Sequence, residues 1–309
     1  MGDLYLERHR RHVAPEIAQH RAGLYNLWVH PVSRTTGAFW RAVLVGATVA
    51  APTLVLPDSL SIAPEFTMLL AAVATVFTFC EYNTNFPSML EFRDAPPFNR
   101  LRFGLFFAIV VAMTLIVMHW PDTGRSSGVM LDICGAIGRF LDFPYSPIRL
   151  LVLVLPADAN AEVVNSVRMA GATTYLIGAA AIILFAVIIR QSDWPIGKGE
   201  FNVWTNLPLF DPTIRGDVVD RLYNEARNYI TVGILLPFVI PGLLRVASPL
   251  VDPMAIADPH VLIWTIYAWA FLPACLIMRG LAVARIAGLI AQKRRRTYAI
   301  AETKTTRTA

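Results

Sequence analysis

The chain has 309 residues, of which 55% are hydrophobic and 16% charged, with a formal net charge of +5. An ordinary soluble domain carries about 25% charged residues, so the composition excludes a protein that meets mainly water and leaves no room for a large polar domain. The basic pI of 9.3 comes with no stacking platform and no nucleic-acid motif, which excludes nucleic acid as an expected partner.

Residues 1–40 read as a basic amphipathic segment. Arg8, Arg10, Arg11 and Arg21 interleave with His9, His12 and His20, and Ile17, Ala18, Leu24, Tyr25 and Trp28 supply one apolar side. Such a segment suits an anionic leaflet, the bland alternative being a solvated positive flank. No apolar signal-peptide core is expected here. Leu6 breaks the myristoylation pattern, and the histidines lack acids or cysteines at metal-ligand spacing.

A helix crosses the roughly 30 Å hydrocarbon layer in about 20 residues. Six stretches meet that need: 41–56, 65–81, 103–119, 169–189, 229–248 and 261–278. The expected fold is therefore an all-α polytopic bundle of about six transmembrane helices with short cytoplasmic loops, the membrane domain running over 41–292 and a basic tail over 293–309. Between the third and fourth spans lie residues 128–156, in which the apolar run 148–156 is too short to cross and 128–142 carries Asp132, Arg139 and Asp142. Val129, Met130, Ile133, Ile137, Phe140 and Leu141 recur at helical spacing, so this stretch reads as an interfacial element, with a re-entrant segment as the alternative. The fifth span holds Pro237 and Pro241, which fit a kinked packing helix better than a broken binding helix. Arg245 falls at its outer end, where it can snorkel.

Charge sets the orientation. Twenty Lys and Arg fall in 1–41, 82–102, 190–228 and 293–309, against five in the opposite connections. The positive-inside rule then places both termini in the cytoplasm of a bacterial-type inner membrane. No Asp, Glu, Lys or His occupies the centre of any span, which argues against a proton-coupled transporter.

Chemistry-bearing residues gather on the cytoplasmic side. The connection "EFRDAPPFNRLR", 91–102, carries Glu91, Arg93, Asp94, Arg100 and Arg102, with Glu81 just before it. Pro96 and Pro97 forbid a helix through its middle. Glu91, Arg93 and Asp94 are expected to pair locally in a turn. The functional alternative is a headgroup or phosphate site built from Arg93, Arg100 and Arg102, since guanidinium forks match phosphate. The connection 191–228 is rich in aromatics. Trp194, Phe201, Trp204, Phe210 and Asp211 form a candidate docking surface unless they fold over the 91–102 turn. Asp211-Pro212 or Gly216-Asp217 marks the start of the next helix, in which Asp217, Arg221 and Glu225 are spaced for pairing. The last helix continues to about 292 and is expected to leave the bilayer around Arg279, beyond which it projects or lies down.

"GRSSG", 124–128, matches a nucleophile-elbow pattern but lacks the strand-turn-helix context that the chemistry needs. Cys80, Cys134 and Cys275 are scattered. No cofactor motif occurs, and neither cofactor nor metal is expected. The expected function is a scaffold, accessory or assembly subunit of a larger membrane complex that meets a membrane-protein partner and anionic lipid headgroups on the cytoplasmic face. Two alternatives stand beside it: an enzyme acting on lipid or phosphorylated substrate at the inner leaflet, and a channel or transporter.

Overall fold

The structure is a computed structural model that describes residues 34–57, 64–85, 87–93, 95–119, 128–192, 194–195, 206–207, 217–247 and 258–308. Among the described residues the long or complete helices run in chain order: α1 (Arg34–Val55), α2 (Pro64–Asn83), α3 (Phe98–Val117), α4 (Val129–Leu141), α5 (Pro147–Val152), α6 (Ala161–Gln191), α7 (Val218–Val246) and α8 (Pro259–Thr308). No strand occurs among the described residues.

Six of these helices are long and apolar enough to cross a bilayer. Their outward surfaces carry large apolar side chains, such as Phe66, Leu69 and Val76 on α2 and Ile234, Leu235 and Leu243 on α7, all exposed. Water would penalise that surface, whereas hydrocarbon accepts it. The protein is a multi-pass helical membrane protein.

Short polar side chains set several helix starts. Asn160 accepts the Glu162 N–H at 3.0 Å to cap α6, Asp217 accepts the Val219 N–H at 2.7 Å to cap α7, and Asp258 accepts the His260 N–H at 3.0 Å to cap α8. Of the two starts the sequence offers for α7, the helix uses Gly216-Asp217; Asp211 and Pro212 lie outside the described residues. The first span also begins earlier than its apolar run suggests, at Arg34, which places 34–40 in the opening turns of α1. The rest of the basic N-terminal segment lies outside the described residues, as does the GRSSG stretch up to Ser127.

The core centres on Trp269, 1% exposed. Proline has no N–H, so Pro241 leaves the carbonyl of Pro237 without its helical donor. The indole Nε1 of Trp269 donates to that carbonyl at 3.0 Å. The prolines of α7 thus serve packing, because the neighbouring helix satisfies the freed group. Close approach of α7 and α8 needs glycine. A Cβ on Gly233 would lie 3.0 Å from the Pro273 carbonyl, and one on Gly280 would lie 2.8 Å from the Ala226 carbonyl.

At one end of the bundle, hereafter the far end, α4 and α5 lie against α6. The 13 residues of α4 span about 20 Å, too short to cross. It buries Cys134, Gly135 and Gly138 while Val129, Met130, Ile133 and Phe140 face outward. Ser146 caps α5 by accepting the Arg149 N–H at 3.0 Å, and Ile148, Leu151 and Leu155 are buried. Asp142 ties the three helices together, 2.6 Å from Arg168 and 3.1 Å from Arg149.

Beyond Arg279 the last helix stays packed on the protein: Ala282, Val283, Ile286 and Ala287 are fully or nearly fully buried, against Leu222 and Ala226 of α7 and the loop carrying Phe92. An apolar stripe on both helices continues past the span lengths, so the α7–α8 hairpin extends as a packed unit. This opposite end of the bundle is the loop end.

Candidate functional site

The connection from α2 to α3 is built around one carboxylate. Glu81, in the last turn of α2, is buried and accepts the N–H groups of Ser88, Met89 and Leu90 at 3.2, 3.0 and 2.9 Å, as well as the Ser88 hydroxyl. Three successive amides pointed at one anion pull the loop back over the helix end. Two arginines close the other side. Arg93 donates to the Thr84 carbonyl at 2.6 Å, and Arg34 donates to the Asn85 side chain at 2.9 Å. Arg34 also reaches the Tyr82 carbonyl, one of the orphan acceptors in the last turn of α2, at 3.5 Å.

Phe92 anchors the turn. Its φ of 52° is in the left-handed region, which costs a bulky residue energy unless packing enforces it. Here packing does: Phe92 is wholly buried, with ring centroids 4.7 Å from Phe98 and 5.6 Å from Trp194. Its N–H donates to the Asn206 carbonyl at 2.8 Å. Trp194, 4% exposed, donates its indole N–H to the Ala95 carbonyl at 3.1 Å. The 191–228 connection therefore folds over the 91–102 turn at Trp194 and at Asn206–Leu207. Trp194 is consequently removed from any docking surface, since its ring is spent on internal packing. Phe201, Trp204, Phe210 and Asp211 lie outside the described residues, as does Asp94.

Glu91 does not pair within its own turn. It points to α8, where Arg279 Nη2 donates to Oε1 at 2.7 Å and Arg279 Nε lies 2.6 Å from Oε2 in an ionic contact too bent for a hydrogen bond. The same Nη2 reaches Glu225 of α7 at 3.2 Å, and the guanidinium lies 3.8 Å over the Tyr229 ring. One arginine thus joins the loop, α7 and α8. Burial pushes the Glu91 carboxyl above its ordinary range, with the Arg279 charge opposing. Farther out, Arg294 holds both oxygens of Asp217 at 2.8 and 2.9 Å. The Val219 amide and then Arg294 hold that carboxyl below its ordinary range.

The basic residues of the turn part company. Arg93 and Arg100 line a pocket of about 300 Å³ together with Arg41 of α1. Arg102 instead faces Phe271 of α8, 5.9 Å from the ring centre, at the mouth of a neighbouring cleft of about 670 Å³. Tyr82, Asn99 and Phe103 belong to the walls of both. The cleft runs down between α1 and α2 on one side and α3 and α8 on the other, over Val49, Ala74, Phe77, Phe106 and Trp264. Of Arg93, Arg100 and Arg102, the structure brings the first two together with Arg41 and sets Arg102 apart.

Four residues of this end escape a reading by local spacing. Arg41 looks like the edge of a span, Arg279 like a helix extension, Glu225 like a partner for Arg221, and Tyr229 like a span start. The only signal for Arg279 and Glu225 is their place beside apolar stripes that continue beyond bilayer length. Among the described residues no three His, Cys, Asp or Glu side chains gather as a metal site would require. Comparison with known protein families, curated proteins and solved structures finds no match.

Proposed function

We propose that the protein is a scaffold or accessory subunit of a larger membrane complex, seated in a bacterial-type inner membrane with both termini and the loop end in the cytoplasm. One observation carries the reading. Four loop-end carboxylates already have a fixed structural partner, Glu81 the loop amides, Glu91 and Glu225 Arg279, and Asp217 Arg294, while Asp220 is exposed on the outside of α7. A general acid or base needs a carboxyl that faces a reacting group, and these face the protein's own helices and loop. What they make is a stiffened platform, as a docking subunit requires. The apolar core around Trp269 counts against a polar conduction path. The asymmetry of basic residues supports the orientation.

Affinity purification from mild detergent tests this. A partner recovered in fixed ratio with the full chain supports it. A lone monodisperse chain, or turnover of a lipid or phosphorylated substrate lost in E91Q, would sink it.

A further inference from the structure

We propose that the Arg41–Arg93–Arg100 pocket and the adjoining cleft form one binding site for an anionic phospholipid, which enters sideways from the bilayer. Its phosphate would rest among the three guanidinium groups, and an acyl chain would fill the cleft between the α1–α2 hairpin and α3/α8.

Three observations carry this. First, the charge is one-sided: the pocket walls hold three arginines and no acid among the described residues. Among the described residues, Glu81 is engaged with the loop amides and Glu91 with Arg279. Among the described residues no carboxylate pairs with Arg41 or Arg100, while the Arg41 guanidinium lies 4.8 Å over the Tyr82 ring. The ring orients it without neutralising it.

Second, polarity changes along the site in the order that a lipid does. The small pocket is basic, the shared wall of Tyr82 and Asn99 is polar, and the cleft beyond is mainly apolar, lined by Val49, Leu70, Ala74, Phe77 and Phe106, with Thr78, Glu81 and Arg102 also in its walls. A free phosphate or sugar phosphate has no use for the larger cleft of about 670 Å³, whereas one acyl chain does. Third, the depth fits. Arg41 is in the second turn of α1 and Arg100 is in the first turn of α3. Both therefore lie at the headgroup level of one leaflet, where juxtamembrane arginines attract anionic lipid. The site stands apart from the scaffold reading, because a complexed chain and a lone chain both carry it.

The test uses the full-length protein in a mild detergent and native mass spectrometry with dioleoylphosphatidylglycerol, dioleoylphosphatidylcholine or inorganic phosphate. The wild type should retain the anionic lipid in preference to the zwitterionic one, and millimolar phosphate should leave that retention unchanged. R41Q/R100Q should lose the preference on the order of tenfold, whereas R139Q/R245Q, which removes the same charge at the far end, should keep it. A74W should block the cleft and lower retention of both lipids, and R41K/R100K should preserve the preference should the glutamine variant fail to fold. Equal retention of the two lipids by the wild type overturns the proposal. So does an unchanged preference in R41Q/R100Q, and displacement by phosphate would show a free-phosphate site instead.

Discussion

Glu91 and Arg279 are 188 residues apart in the chain, yet their side chains meet end to end at 2.6 and 2.7 Å. The contact is nearly dry, with side-chain exposures of 8% and 14%. Arg279 also holds Glu225, so a single guanidinium sets the position of the 85–97 loop against the α7–α8 hairpin. Removing one partner of such a pair strands a buried charge, which costs more than the pair contributes.

R279Q should therefore destabilise the protein by about 3–5 kcal/mol, read as a lower unfolding midpoint in detergent. The double variant E91Q/R279Q should recover part of that loss, because the buried Glu91 carboxylate is no longer stranded and only the more exposed Glu225 loses its cation. Additive losses in a double-mutant cycle would show that the two groups are not coupled.

Glu91 and Asp217 act in opposite directions on pH dependence. Glu91 is raised above 4.5, so the folded protein binds this proton more tightly than the unfolded chain. Its contribution is full below pH 4.5 and is lost as pH rises through the folded value. Asp217 is lowered below 3.8; its contribution is present above pH 3.8 and disappears as pH falls through the folded value. E91Q should flatten the stability curve on the neutral side, and D217N should flatten it on the acid side. Unfolding midpoints measured across the pH range separate the two.

Gly280 has no room for a methyl group, since its Cβ would meet the Ala226 carbonyl at 2.8 Å and Ile230 Cγ1 at 2.6 Å. G280A should cost about 1–3 kcal/mol through overpacking. Gly104, whose Cβ would meet nothing within 4 Å, serves as the control: G104A should be neutral or stabilising through helix propensity. Thermal unfolding of the two variants side by side decides the matter.

The Glu81 carboxylate receives only donors. E81Q would turn an amide NH₂ toward them, at a cost of about 1–3 kcal/mol for the unmet groups. The loss should appear as faster proteolysis within 85–97, with the far end unaffected. An unchanged cleavage pattern would mean that the loop is held by Phe92 and Trp194 alone.

W194A should expose the Phe92 turn and cost about 3–5 kcal/mol. W194F keeps most of the packing but leaves the Ala95 carbonyl without its indole donor, so its loss should be smaller, about 1–3 kcal/mol. Limited proteolysis of the same loop ranks the two.

The sequence by itself determined the architecture. Six apolar runs of spanning length can be satisfied only by helices in lipid, because no other chain form closes its backbone hydrogen bonds within one segment. The same logic set 128–156 apart, where Asp132, Arg139 and Asp142 interrupt an apolar period too short to cross. Placement of the loop end was only half legible. The crowding of Glu81, Glu91, Arg93 and Arg100 in one connection marked the region, since nothing but sequence adjacency is needed to bring them near. Which of them pair was decided by tertiary structure alone. Glu91 chose Arg279 over Arg93, Arg41 replaced Arg102 in the basic pocket, and Trp194 turned inward. Each choice follows from packing three helices and two connections at one end, where a charge takes the partner that lets it stay dry and an aromatic takes the surface that excludes water. Local spacing records neither, because both depend on distances between residues tens to hundreds of positions apart.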